Sequence, residues 1–185
     1  MRVRITRAAA TATKKKGLII VNTGDGKGKT TAALGVALRA CGHGMRVIML
    51  QFFKGQCKCG ELRSASKLET FEIHPMGKGF TWESKDIEID KAMVREAWRA
   101  PEDKILSGSY DIVILDEINY ALSYGFLPVE DIVNFLKKKP LMLHVILTGR
   151  NAKPEILEIA DLVTEMRVLK HPFKQGISAQ KGIEF

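Results

Sequence analysis

Residues 23–30 combine glycines, a lysine and a threonine in the way typical of loops that hold phosphate. The run reads TGDGKGKT and lies between a short apolar segment and a helical pattern. Glycines allow a tight turn in which successive backbone N–H groups converge on phosphate oxygens, and the positive end of the following helix adds to the attraction. Lys29 is placed to neutralise the outer phosphates, and the Thr30 hydroxyl is placed to ligate Mg²⁺. The spacing therefore predicts a site for a nucleoside triphosphate, formed by Gly24, Asp25, Gly26, Lys27, Gly28, Lys29, Thr30 and Thr31.

The match to the consensus GxxxxGK[ST] is incomplete, because Thr23 stands where the first glycine belongs. The alternative interpretation is a glycine-rich turn without a ligand. The motif requires a strand before the loop and a helix after it. Both patterns are present, so phosphate binding is favoured.

Two acidic residues, Asp116 and Glu117, follow another apolar run, IVIL at 112–115. A carboxylate at the tip of a buried strand is costly to bury without a cation. Carboxylate and hydroxyl oxygens are the protein ligands that Mg²⁺ prefers. The sequence therefore predicts that Asp116 and Glu117 join Thr30 near a magnesium ion, and it leaves open which carboxylate lies nearer.

Apolar runs and helical patterns alternate along the chain. The runs lie at 17–22, 46–53, 111–116 and 142–148, with a weaker one at 162–169, and the helical patterns lie at 30–41, 87–106, 129–138 and 154–160. Such alternation predicts an α/β fold with a predominantly parallel sheet and helices on both faces. The long connections at 54–60 and 74–85 are the segments where function tends to reside.

The net charge of +8 is concentrated in the first 16 residues. Six basic residues there leave 23 basic against 21 acidic residues in the remainder, whose net charge is +2. We therefore divide the chain into a basic, flexible N-terminal arm (1–16) and one domain (17–185). Nucleic-acid-binding proteins carry their basic stripe on the fold itself, so no nucleic-acid partner is expected.

The apolar runs and the cysteines bear on location. No apolar run approaches the ~20 residues of a membrane span, so no membrane association is expected. Three cysteines, an odd number, indicate reduced thiols and a cytoplasmic protein. The pair Cys57-x-Cys59 lacks the spacing of a metal motif, and its role stays open.

The residues offer no clear protein nucleophile and no kinase signature. The segment GKGFTWE at 77–83 places Phe80 and Trp82 in a glycine-rich stretch. From spacing alone, the simpler interpretation is a loop anchored to the core by its two rings.

Seven motifs along the chain nevertheless resemble those of one family, the ATP:corrinoid adenosyltransferases of the CobA/BtuR type. They are TGDGKGKTTAALG (23–35), RACGHG (39–44), QFFKG (51–55), GFTWE (79–83), LDEINYAL (115–122), TGRNA (148–152) and KHPF…AQKGIEF (170–185). The resemblance implies a RecA-like P-loop fold. It also implies transfer of the 5′-deoxyadenosyl group of ATP to the Co(I) of a corrinoid, cobalamin or a precursor, with release of triphosphate.

The resemblance assigns roles to particular residues and implies partners. It makes Lys29 catalytic and Mg²⁺ a cofactor, and it makes Phe80 and Trp82 corrinoid-binding residues that displace the lower axial ligand. A homodimer and a flavin-dependent electron donor are further expectations. Two features depart from the family pattern: the arm at 1–16 is shorter than the arm that covers the neighbouring active site in relatives, and relatives lack the two cysteines at 57 and 59.

Two other classes of function compete with this interpretation. A P-loop phosphotransferase or ATPase would release ADP, whereas an adenosyltransferase releases triphosphate. A regulator that binds a nucleotide or a corrinoid would show no turnover. GFTWE and the C-terminal KHPF…GIEF segment favour the adenosyltransferase.

Overall fold

The computed structural model describes residues 15–53, 59–76, 91–92, 94–95, 98–99, 102 and 105–184. Most of the N-terminal arm and the aromatic pair Phe80 and Trp82 lie outside the described residues. The predictions made for them therefore stay predictions. Among the described residues, no helix is long and apolar enough to cross a membrane.

Strands and helices alternate along the described chain. The strands are β1 (Ile19–Thr23), β2 (Val47–Gln51), β3 (Phe71–Pro75), β4 (Ile112–Asp116), β5 (His144–Thr148) and β6 (Leu162–Glu165). The helices are α1 (Lys29–Cys41), α2 (Gly60–Ala65), α3 (Ile118–Ser123), α4 (Val129–Lys138) and α5 (Pro154–Ile159), with a 3₁₀ turn at Pro172–Gln175. Further helical residues lie between 91 and 106.

The six strands form one sheet in the order β3-β2-β4-β5-β1-β6. Every neighbouring pair is parallel, which confirms the predicted parallel α/β fold. One strand, β5, separates β1, which leads into the glycine loop, from β4, which ends at Asp116. Because all strands run the same way, the residues that end them meet at one edge of the sheet.

Successive strand residues face opposite sides of the sheet and enter two separate cores. Val21, Leu50 and Leu115 pack on one side with α3, α4, α5 and the helical residues between 91 and 106. Met49 and Ile114 pack on the other side with α1 and α2. Helices therefore cover both faces, as predicted.

The face that α1 covers explains how that helix is positioned. The helix buries Ala33, Ala37 and Ala40 against the sheet. These small side chains allow a helix axis to approach the strands closely. As a result, the amino end of α1 lies at the sheet edge where the strands end.

The sequence patterns missed β3. Phe71–Pro75 lies at the edge of the sheet and is buried at Phe71 alone, so it lacks the continuous apolar run that marks the inner strands. The predicted connection at 74–85 overlaps only the last two residues of this strand, and no element was predicted for 71–73.

The cysteines depart in part from the expectation of reduced thiols. Cys41 is free, whereas Cys59 is disulfide-bonded. An odd count also fits one disulfide with one thiol left over. The expectation was therefore wrong for Cys59, and the cysteine count says little about the compartment.

Candidate active site

The turn from β1 into α1 has the backbone shape that the glycines predict. Gly24 has a φ of 90° and Gly28 has a φ of 110°, backbone angles that residues other than glycine rarely adopt. Helix α1 begins at Lys29 and is 13 residues long, so its free N–H groups and positive dipole end point at the loop.

Gly24 and Gly26 are also required because the backbone just after β6 lies too close to the loop for a side chain at either position. A Cβ atom at Gly24 would lie 2.5 Å from the carbonyl oxygen of Met166, and one at Gly26 would lie 2.7 Å from it. The N–H of Gly26 donates to that oxygen at 2.6 Å, and the N–H of Met166 donates to the Thr23 carbonyl at 2.9 Å. The residue that follows β6 therefore holds the loop in shape.

Lys29 lies inside the loop. Its side chain is 8% exposed, and its ammonium donates to the carbonyl oxygens of Gly24 at 2.8 Å and Gly26 at 2.7 Å. Burial lowers the pKa of Lys29, and the charge of Glu117 opposes that shift. The loop thus carries a buried positive charge where phosphate is expected.

Asp116 connects the loop to the ends of three strands. The carboxylate is fully buried, and its Oδ1 accepts hydrogen bonds from the hydroxyls of Thr30 and Thr148, each at 2.8 Å. The amide Nε2 of Gln51 faces Oδ2 at 3.4 Å. The carboxylate that the sequence placed near Thr30 therefore touches it directly.

Glu117 adopts a different position from its neighbour. Its φ of 62° is left-handed, and its N–H donates to the Thr148 hydroxyl at 2.9 Å. Its carboxylate lines the same cavities as Lys29 and Arg150. Asp116 therefore belongs to the buried floor of the site, whereas Glu117 faces the space above it.

Two cavities adjoin the loop and share the side chains of Lys29, Glu117 and Arg150. The larger, about 910 Å³, runs from residues 25–31 along α1 to α2. The smaller, about 410 Å³, is lined on its other side by Phe53 and Tyr120. The three charged side chains at this junction are suited to bind a polyanion. The two cavities leave room for a larger molecule on either side of the bound polyanion.

An aromatic group borders the smaller cavity. The ring of Tyr120 lies 5.2 Å from that of Phe53 and 4.4 Å from that of Tyr124, centroid to centroid. Burial, helped by a hydrogen bond with Tyr124, raises the pKa of Tyr120 to about 12. The Tyr120 hydroxyl is therefore protonated at neutral pH.

The donor chemistry of the site fits magnesium. Among the described residues, no three His, Cys, Asp or Glu side chains form a metal cluster, so a metal held by protein ligands alone finds no site there. Thr30 and Asp116 offer hard oxygen atoms beside a loop shaped for phosphate. Mg²⁺ commonly binds through one or two protein oxygens together with substrate phosphates and water, and this pair fits that pattern.

The structure brings the predicted phosphate loop, Thr30, Asp116 and Glu117 together at one sheet edge. The sequence analysis assigned no role to five neighbours at this edge: Gln51, Phe53, Tyr120, Thr148 and Arg150. A signal for most of them was present, because Gln51 ends β2, Thr148 ends β5 and Arg150 follows it. Residues at the carboxyl ends of parallel strands converge, so each was a candidate.

Comparison of the sequence with known proteins identifies its relatives. The family model for ATP:corrinoid adenosyltransferase BtuR/CobO/CobP matches residues 15–185. A corrinoid adenosyltransferase of a Sinorhizobium species is 49% identical over 95% of this chain and 84% of its own length. That of Escherichia coli K12 is 43% identical over 98% of this chain and 92% of its own. That of Pseudomonas aeruginosa is 42% identical over 95% and 87%, respectively. The chain belongs to the ATP:corrinoid adenosyltransferase family.

Proposed function

We propose that this protein transfers the 5′-deoxyadenosyl group of ATP to the Co(I) of a corrinoid and releases triphosphate, in the biosynthesis or salvage of adenosylcobalamin. Family membership over residues 15–185 carries the proposal. The glycine loop, with Lys29 buried in it, is the feature of this chain that agrees best with the chemistry.

The proposed reaction needs no protein nucleophile. The electron pair of Co(I) forms the bond to C5′, the bond from C5′ to the triphosphate oxygen breaks, and that oxygen keeps the bonding pair. The task of the protein is to stabilise the charge on the leaving group and to align the two substrates. We assign the first task to the N–H groups of residues 24–31 and to the Lys29 ammonium, which exchanges its carbonyl partners for phosphate oxygens. Arg150, at the junction of the two cavities, is suited to add a second positive charge.

We assign the metal site to Thr30 and Asp116. Their contact of 2.8 Å supports this choice, because an ion bound by the Thr30 hydroxyl has the Asp116 carboxylate beside it. Mg²⁺, when bound, neutralises phosphate charge and so improves triphosphate as a leaving group. Glu117 shares the cavities with Lys29 and Arg150 instead, where it can limit the excess positive charge or accept a hydrogen bond from a substrate hydroxyl.

The corrinoid contacts rest on the family resemblance. Phe80 and Trp82 remain the residues proposed to press on the lower face of the corrin. Aromatic rings suit that task because they exclude water and offer no ligand to cobalt. The rings of Phe53, Tyr120 and Tyr124 form an aromatic wall beside the smaller cavity. This wall supports the proposal of an extended apolar surface on that side of the phosphate loop.

A homodimer is also part of the proposal, and the exposed end of the sheet supports it. Strand β6 lies at the sheet edge, where Leu162 is 50% and Val163 44% exposed. Leu169 and Phe173, in the segment beyond it, are 95% and 78% exposed. An edge strand that has no outer partner in the described part of the chain, beside exposed apolar side chains, is typical of an association surface. A cytoplasmic location and a flavin-dependent electron donor are proposed from the family alone.

One assay tests the proposed activity against its alternatives. Chemically reduced cobalamin is mixed with MgATP and the protein, the spectrum is followed for formation of the carbon–cobalt bond, and phosphate products are separated. Bond formation with one triphosphate per corrinoid is expected. ADP as the product would indicate a phosphotransferase or ATPase, and binding of both molecules without products would indicate a regulator.

A further inference from the structure

Gln51 is a buried polar residue at the centre of the site, and no role has been assigned to it. It ends β2, and its backbone is in register with Asp116 of β4. Its side chain is 1% exposed, and its Nε2 donates to Asp116 Oδ2 at 3.4 Å. The strand end therefore fixes an amide directly beside the carboxylate proposed to serve the metal.

The amide is only half satisfied. A carboxylate is an acceptor, so the NH₂ group of Gln51 must face Asp116, and Oε1 is directed elsewhere. That oxygen is buried and has no hydrogen-bond partner among the residues that the structure describes. Buried acceptors are nearly always paired in native proteins, and an unpaired one calls for an explanation. The partner that it lacks is a hydrogen-bond donor, which a bound ligand or its hydration shell can supply.

We propose that Gln51 is a positioning residue for Mg²⁺, whose Oε1 accepts a hydrogen bond from a water molecule bound to the ion. This inference rests on the proposed function, since it assumes the metal site at Thr30 and Asp116. Mg²⁺ keeps several waters when it binds protein and phosphate. Water bound through its oxygen to a cation can only donate, so it complements a bare carbonyl oxygen. Gln51 thereby orients the carboxylate with one end of its amide and the hydration shell with the other.

A purely structural role predicts a different result. If Gln51 serves only to fill the end of the sheet, replacing it lowers the stability of the ligand-free protein and impairs every ligand in proportion. If it serves the hydrated ion, removing the unpaired oxygen leaves the ligand-free protein as stable as before or more stable. Only the affinity for the metal ion then decreases.

The test uses Mn²⁺ as the probe, because free Mn²⁺ is counted directly by its paramagnetic resonance signal. Mn²⁺ is titrated into ATP held by an excess of the wild-type protein, so that no free nucleotide competes for the ion, and into the same mixture with Gln51→Met. Methionine keeps the length of the side chain and removes both the Oε1 acceptor and the Nε2 donor that faces Asp116 at 3.4 Å. Gln51→Asn, which withdraws the oxygen by one methylene, serves as a second variant should the first fold poorly. Met49→Leu, on the same strand and the same face of the sheet, is the control for repacking.

We expect Mn²⁺ to bind the ATP complexes of both Gln51 variants about tenfold or more weakly. Metal-free ATP binding and the melting temperature of Gln51→Met should match those of Met49→Leu. Unchanged Mn²⁺ affinity in the folded variants would overturn the role of Gln51 alone. A wild-type protein that binds ATP but no Mn²⁺ would instead refute the proposed metal site, so the two failures are distinguishable.

Discussion

Replacement of Lys29 by methionine tests how much of the chemistry depends on one buried charge. The ammonium lies 2.7–2.8 Å from the two loop carbonyls that it contacts, and we take the same separation for a phosphate oxygen. At an effective dielectric constant of about 20, a unit charge at about 2.8 Å contributes roughly 6 kcal/mol. Only charge that develops in the transition state accelerates the reaction. Half a unit of the developing charge, shared onto the phosphate oxygen that Lys29 contacts, corresponds to about 3 kcal/mol, or about a hundredfold in kcat.

The stability of the protein should change little. Burial lowers the pKa of Lys29, which means that its folded surroundings stabilise the charged form less well than water does. A neutral side chain of similar length therefore loses little charge stabilisation, and its main cost is the donor that it withdraws from the carbonyls of Gly24 and Gly26. We expect the melting temperature to stay within about 4 °C of wild type, equivalent to about 1 kcal/mol for a chain of this size.

Lys139 provides a matched control at the opposite end of the strands, where β1 and β5 begin. Its ammonium also donates to two backbone carbonyls, those of Gly17 at 2.9 Å and Leu143 at 2.8 Å, and burial also lowers its pKa. Lys139→Met should affect stability to a similar extent and leave adenosyl transfer at the wild-type rate. The assay is transfer to pre-reduced cobalamin at saturating ATP, beside the melting temperature. Near-normal turnover of folded Lys29→Met, or an equal loss in Lys139→Met, would refute the reasoning.

Three further outcomes are expected. Asp116→Asn should raise the Mg²⁺ concentration for half-maximal rate about tenfold or more, whereas Glu117→Gln should leave it unchanged; equal shifts would contradict the metal assignment. Phe80→Ala and Trp82→Ala should still transfer adenosyl to pre-reduced Co(I) but lose turnover from Co(II) with a weak reductant, and equal losses that track the melting temperature would return both rings to a packing role. Asp161→Asn should lower the melting temperature at pH 7, because a lysine and a backbone N–H hold the pKa of this carboxyl below 3.8. That stabilisation is present above the unfolded-state pKa and disappears as pH falls through the folded-state pKa, so the wild-type and variant melting curves should converge in acid.

The parts of the fold that local pattern determines were predicted well. The inner strands are continuous apolar runs because both of their faces are covered, and the glycine loop follows from backbone geometry that other residues rarely adopt. Phe71–Pro75 escaped prediction because an edge strand needs only one covered face, and pairing across the sheet decides its conformation. Cys59 shows the same limit, since a disulfide depends on contacts that the cysteine count does not contain.

Site residues that belong to a continuous sequence motif were predicted, whereas those brought together only by the order of the strands were not. Gly24–Thr31 and Asp116 were found because a motif links residue type to spacing. Gln51, Thr148 and Arg150 were not, because each ends or follows a different strand and is joined to the site only through strand order. The sequence also left Asp116 and Glu117 as equivalents. The left-handed backbone of Glu117 separates them, turning one carboxylate into the floor and the other toward the cavities.

The contacts of the ligand-free site bear on how ATP and the metal would bind. Lys29 donates to loop carbonyls and the Thr30 hydroxyl donates to Asp116, so two groups proposed to hold ligand are already fixed in the ligand-free site. Phosphate oxygens would replace the carbonyl partners of Lys29, and Mg²⁺ would bind the free lone pairs of the Thr30 oxygen while its hydrogen bond to Asp116 is kept. Neither step rebuilds the loop, whose shape depends on Met166 and not on the ligand. Binding energy is then not spent on ordering the backbone, and more of it is available to align C5′ with cobalt. Gln51 Oε1 is the exception, since no described residue gives it a partner to exchange. A ligand that supplies a donor there relieves an existing defect, which is why we expect the Gln51 variants to weaken metal binding while the ligand-free protein keeps its stability.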